Sequence, residues 1–225
     1  MNNPELIVML TDRDRTVANA AQIFEQCKDL PVGYWGMKEE GLPLPEMKRL
    51  FAYMKGQEKT AVLEVVAYTP EECFSGAKIA VECGCDILMG TVYSDAVRDL
   101  CKENHIRYMP FVGQVSGRPS VLGGTLEDML REASTYLAKG VDGIDLLGYR
   151  YPTEPEKLIK EFVAGVEAPV CVAGSINSDV RLEEIRRVSP WAFTVGGAFF
   201  SGCFGSDFRS QIEKVLARVK GEIYV

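Results

Sequence analysis

PVCVAGSINSDVRLEEIRRVSPWAFTVGGAFF, residues 169–200, carries the pattern that decides the fold. A short apolar run from Pro169 to Ala173 meets a glycine turn at Gly174-Ser175. An amphipathic stretch from Asp179 to Val188 follows, and a second apolar run, Trp191 to Val195, meets a second glycine turn at Gly196-Gly197. Runs this short and rich in β-branched or aromatic residues predict strands, and apolar residues at three and four spacing predict a helix. Strand, turn, helix and strand in that order make a parallel crossover unit.

Outward from this segment the same unit repeats to both ends of the chain. Six more apolar runs predict strands: Glu5 to Thr11, Val32 to Lys38, Thr60 to Ala67, Asp86 to Val92, Ile106 to Gly113 and Gly143 to Tyr149. Helical periodicity lies between them, as in Pro45 to Lys55, Pro70 to Glu82 and Leu126 to Lys139, and a last helix begins near Phe208. Ser94, Thr125 and Thr153, the last followed by Pro155 and Glu156, read as helix starts; Gly84, Gly140 and Gly165 read as stops. Eight such units over 225 residues predict one (β/α)8 barrel spanning residues 1–225 with its helices outside. An open doubly wound sheet is the competing architecture, and the lack of a GxGxxG turn after the first strand favours closure.

Composition narrows the function classes. Hydrophobic residues at 47% and charged residues at 25% are those of an ordinary globular chain. Lys and Arg number 25 against 32 Asp and Glu, and the net charge of −7 has the wrong sign for holding nucleic acid or anionic lipid. MNNPELIVMLTDRD has no basic stretch followed by a long apolar core, so no signal peptide is expected, and no apolar run is long enough to span a membrane. Seven scattered cysteines read as free thiols of a reducing cytoplasm, and Cys83-Gly84-Cys85 offers too few ligands for a metal. The one histidine, His105, precedes the fifth strand, at the end of a barrel where conserved chemistry is not housed.

Barrel chemistry sits at the C-terminal ends of the strands. The glycine turns at Gly174-Ser175 and Gly196-Gly197 fall after strands seven and eight, where main-chain N–H groups can clasp one phosphate. Lys38 ends the second strand. Glu64, a carboxylate inside VLEVVA, is expected to point into the barrel and pair with Lys38 as the proton-transfer or carbonyl-activating couple, with burial pushing the lysine pKa down. Asp145 reads as a structural hydrogen-bonding group low in the sixth strand. Arg150 offers a planar fork for an anion, and the stretch Gly113 to Gly124 supplies Gln114 and Arg118 as substrate contacts. Asp12, in Asp12-Arg13-Asp14 after the first strand, is a further contact; metal binding there competes with neutralisation by Arg13 and Arg15, and neither metal nor cofactor is called for.

VAGSI and TVGGAFF resemble the paired glycine turns of the ribulose-phosphate-binding barrel superfamily. The resemblance implies that Gly174, Ser175, Gly196 and Gly197 bind phosphate through backbone amides. The chain departs from the superfamily's decarboxylases, whose third strand carries Asp-x-Lys-x-x-Asp where this chain has Glu64-Val65-Val66-Ala67-Tyr68-Thr69. It also lacks the paired histidines of the metal-dependent epimerases. The expected function is therefore a cytoplasmic enzyme acting on a small phosphorylated sugar or keto-sugar, as an epimerase, isomerase or aldol-type lyase. A homodimer is left open as its assembly. The alternative is a non-catalytic phosphate-ligand sensor of the glycerol-phosphate antiterminator type on the same barrel.

Overall fold

Each of the eight apolar runs forms a strand in the computed structural model, which describes residues 3–222. They are β1 (Glu5–Met9), β2 (Tyr34–Lys38), β3 (Thr60–Val65), β4 (Ile87–Gly90), β5 (Arg107–Met109), β6 (Ile144–Leu146), β7 (Val170–Val172) and β8 (Ala192–Val195). The helices are α1 (Ala20–Cys27), α2 (Leu44–Gly56), α3 (Pro70–Cys83), α4 (Asp95–Glu103), α5 (Leu126–Ala138), α6 (Pro155–Gly165), α7 (Asp179–Val188), the single-turn α8 (Gly197–Phe200) and α9 (Phe208–Lys220).

Local chemistry sets several boundaries. Thr69 and Glu72 form a reciprocal capping box at the start of α3, Ser94 and Thr125 cap α4 and α5 through their hydroxyls, and Gly84 ends α3 in the left-handed conformation. Helix α6 differs from the sequence reading. Glu154 rather than Thr153 occupies its N-cap, at a φ of +47°, with no side-chain cap. Pro155 at the first helical position fixes that start.

The strands are all parallel, in the order β6-β7-β8-β1-β2-β3-β4-β5. Between β5 and β6 the ladder reduces to one bridge, Phe111 with Asp145, where the Asp145 amide donates to the Pro110 carbonyl at 3.0 Å. That seam turns the sheet into a nearly closed (β/α)8 barrel. Two short antiparallel ribbons stand on it: Thr11–Asp12 with Arg15–Thr16, and Gln114–Ser116 with Val121–Gly123. The second lies within the stretch Gly113 to Gly124, for which the sequence predicts no strand beyond Gly113.

Packing separates two cores. The larger lies between the strands and the helices and includes Trp35, Phe24, Phe51, Phe162 and Phe193. The smaller fills the barrel interior with Ile7, Met9, Val62, Ile87, Met89, Met109, Cys171 and Ala192. The alternation of side chains along each strand decides this division, and it sends Lys38 and Glu64 inward with the second set. Among the described residues no helix is long and apolar enough to cross a membrane.

Gly90 shows how tight the strand ends are. Its φ is +78°, and a Cβ there would lie 2.4 Å from the Val65 carbonyl oxygen. Gly90→Ala is expected to destabilise the protein by about 2 kcal/mol or more, because backbone must move. Gly33→Ala, where a Cβ meets nothing within 4 Å, should change stability by less than about 0.5 kcal/mol. Urea midpoints at a constant m-value compare the two.

Candidate active site

One cavity of about 300 Å³ opens at the C-terminal end of the barrel. The ribbon after β1 supplies Thr11, Arg13 and Asp14, and β2 and β3 supply Lys38 and Glu64. The turn after β6 supplies Arg150, the loop after β7 supplies Gly174 to Asn177, and the β8 turn supplies Gly196 to Ala198. The structure therefore brings Lys38, Glu64, Arg150 and both glycine turns to one place.

Lys38 sits at the buried end. Its main chain is bracketed by the Thr16 hydroxyl, which accepts from the Lys38 amide and donates to the Lys38 carbonyl, each at 2.9 Å. Its Nζ donates to Asp14 Oδ1 at 2.7 Å and lies 3.6 Å from Glu64 Oε1. Burial alone would discharge such a lysine, but the Glu64 and Asp14 carboxylates outweigh it and hold the Lys38 pKa above its usual 10.5. The downward shift expected from the sequence is thus reversed, because Asp14 adds a second carboxylate to Glu64 beside the ammonium. Burial works the other way on Asp14, and the hydrogen bond and charge of Lys38 overcome it, so this acid stays below the ordinary carboxylate range.

Asp14 was legible in the sequence only as part of an acidic cluster. It reaches the cavity because Arg13 and Asp14 both take positive φ, 47° and 59°, in the two-residue turn of the first ribbon. Asp12, the neighbour singled out from the sequence, stays outside the cavity lining, with its carboxylate 3.8 Å from Arg13 Nε. The left-handed turn explains the exchange, since Arg13 and Asp14, the two residues at its tip, both line the cavity.

Asp145 lies in the interior, fully buried, with neither carboxylate oxygen hydrogen-bonded. Burial first, and the Glu64 charge second, push its pKa well above the ordinary carboxylate range against the pull of Lys38. The Gly90 amide opposes that rise as well, which is the trace that the structure leaves of the hydrogen-bonding role read from the sequence.

At the open end, Gly174 has a φ of +81° and Ser175 one of +57°. The Arg150 side chain lies directly over Gly174, so that a Cβ there would come within 3.0 Å of Arg150 Nε. Among the described residues, the amides of Gly174, Ser175, Ile176 and Asn177 donate no hydrogen bond to the protein. The first amides of α8, from Gly197 and Ala198, have no partner within that helix by its geometry. Positive guanidinium and main-chain donors thus converge at one end, and carboxylates flank an ammonium at the other.

The loop after β5 contributes differently from the sequence expectation. Gln114 is exposed on its ribbon and does not line the cavity. Arg118 donates to the Val66 carbonyl at 2.8 Å and pairs with Glu39 and Glu40, which anchors the ribbon rather than reaching the cavity. Pro119 and Ser120 form that wall instead, and the Ser120 hydroxyl is 2.8 Å from that of Tyr68. Which residue of a twisted ribbon faces inward follows from its register, for which the sequence carries no signal.

No protein-family model and no curated protein sequence matches the chain. Its fold is shared with solved structures. Tryptophan synthase from M. tuberculosis aligns at a TM-score of 0.69 and 13% identity over 97% of this chain and 94% of its own. The N-acetylmannosamine-6-phosphate 2-epimerase from Clostridium perfringens aligns at 0.61 and 15% identity over 96% of this chain and 93% of its own. The glycerol uptake operon antiterminator regulatory protein from Listeria monocytogenes aligns at 0.59 and 14% identity over 88% and 94%. These are likenesses of fold alone, and the fold they share with this chain is the (β/α)8 barrel expected from the sequence.

Asp145 gives a test of the interior electrostatics. Its folded pKa exceeds the unfolded value, so the folded state binds the extra proton and its stabilising effect fades as pH rises above about 4. Asp145→Asn removes that titration. The stability of the variant relative to wild type should climb between pH 4 and pH 7, with a slope of up to about 1.4 kcal/mol per pH unit. A pH-independent difference in denaturation midpoints would show Asp145 to be ionised.

Proposed function

We propose that the chain is an enzyme that binds a small phosphorylated sugar or keto-sugar and transfers a proton beside its carbonyl, as an isomerase or epimerase. The observation that carries this reading is the buried Lys38 ammonium between Asp14 and Glu64, in the same cavity as Arg150 and the paired glycine turns. Anionic phosphate suits the end that offers main-chain donors and a guanidinium. Gly174, Ser175, Gly196 and Gly197 would hold it through their amides.

The carbonyl end of the substrate then meets Lys38 and Glu64. An ammonium kept charged by two carboxylates is a poor nucleophile, so Lys38 serves as the electrophile that polarises the carbonyl oxygen. Glu64 accepts the proton from the adjacent carbon and the electron pair moves onto the oxygen beside Lys38; delivery of a proton to the opposite face of that carbon gives the epimer, and delivery to the former carbonyl carbon, with loss of the neighbouring hydroxyl proton to reform a carbonyl, gives the isomer. Asp14 keeps Lys38 charged. An aldol-type cleavage would draw on the same polarised carbonyl. By its name, the epimerase among the similar structures acts on a phosphosugar, which supports this substrate class.

A thermal-shift screen of phosphosugars tests the reading first, since a ligand at 100 times its Kd adds roughly 2.7 kcal/mol of stability. Gly197→Asp places a negative charge in the phosphate end, where a Cβ has only Asp12 Oδ1 at 3.6 Å for company, and should abolish that shift while the protein stays folded. On the substrate so found, Lys38→Met and Glu64→Gln should each lower turnover by about 10² or more. Borohydride should trap no adduct at Lys38; an adduct of substrate mass there would replace the proton-transfer role with a Schiff base.

A further inference from the structure

Ser175 holds a left-handed backbone conformation that a residue with a Cβ adopts at a cost, and something must maintain it. The first turn of α7 supplies the means. Arg181 Nη1 donates to the Ser175 carbonyl and, at 3.1 Å, to Asn177 Oδ1. Its guanidinium lies over the Tyr149 ring, 4.7 Å from the centroid, and the Tyr149 hydroxyl donates to Glu184 Oε2 at 2.7 Å. Tyr149 is the residue before Arg150, whose side chain covers Gly174. A single side chain therefore touches the loop after β7 and the turn after β6, the two segments that meet at the open end of the cavity. Arg181 itself does not line that cavity.

We propose that Arg181 is a positioning residue for anion binding: it locks Ser175 and Asn177 so that the loop amides are preset for a phosphate group that Arg181 never contacts. The inference rests on the phosphate reading of the glycine turns. Stacked on the Tyr149 ring, the guanidinium loses little freedom when Nη1 makes both bonds, whereas a lysine would lack that planar stacking. Without it, phosphate binding must itself supply the ordering of the loop, and affinity falls by that amount.

Calorimetry with inorganic phosphate at constant ionic strength tests this. Arg181→Gln is expected to weaken phosphate binding about tenfold. Arg186→Gln removes the same charge from the same helix, where among the described residues Arg186 pairs with Glu183 alone, and should change the affinity by less than about twofold. Ser175→Gly makes the left-handed conformation free of steric cost, so adding it to Arg181→Gln should recover most of the loss. Should Arg181→Gln fail to fold, Arg181→Lys carries the same comparisons. On a phosphorylated substrate the Arg181 variant should raise KM and leave kcat in place. Wild-type binding of phosphate with no loss in the Arg181 variants overturns the inference alone. Equal losses in the Arg186 variant overturn it too, in favour of a general charge effect. A wild-type protein that binds no phosphate overturns the phosphate reading and this inference with it.

Discussion

Everything in this molecule depends on closing the sheet between β5 and β6. Eight parallel strands leave no unpaired edge only when the last meets the first, and here they meet through one bridge and a few amide-to-carbonyl bonds. The bridging residue is Asp145. The same backbone position that seals the barrel sends a carboxyl group into its interior, below the cavity and within the field of Glu64 and Lys38. Closure thereby determines which polar groups share a low-dielectric space, and that sharing sets their charge states.

The interior electrostatics follow from a count of signs in a small volume. One ammonium faces the Asp14 and Glu64 carboxylates, with Asp145 beneath them. Lys38 pairs with two acids, which hold its pKa above the usual value, and burial pushes the most deeply buried acid, Asp145, well above the ordinary carboxylate range. A different arrangement holds at the open end. There the donors are main-chain amides held by backbone conformation, with Arg150 packed against Gly174 and Arg181 bonded to the Ser175 carbonyl. Cationic and acidic groups thus share one cavity.

Much of the architecture is legible in the residues. The eight apolar runs, the hydroxyl caps of α4 and α5 and the glycine turns after β7 and β8 are local features, each governed by a few consecutive side chains. Lys38 and Glu64 are also legible, since a charge that ends or interrupts an apolar strand must have a reason to be buried, and parallel register places them as direct partners. Asp14 was not. Its approach to Lys38 depends on two consecutive positive φ angles at Arg13 and Asp14, a turn for which neither residue is a strong signal.

The order of strands and helices, the barrel they form and the strand ends at which polar groups gather are set by local residue patterns, because hydrophobic period and capping act over a few residues. Which polar groups meet is set by contacts between distant segments. Asp14 instead of Asp12 beside Lys38, Ser120 instead of Gln114 or Arg118 on the cavity wall, and Arg181 behind the loop after β7 all follow from turn conformation, ribbon register and the packing of distant elements. The upward pKa of Lys38 has the same origin. A charge state in a buried site is set by every neighbour in the volume, and those neighbours are assembled from segments far apart in the chain.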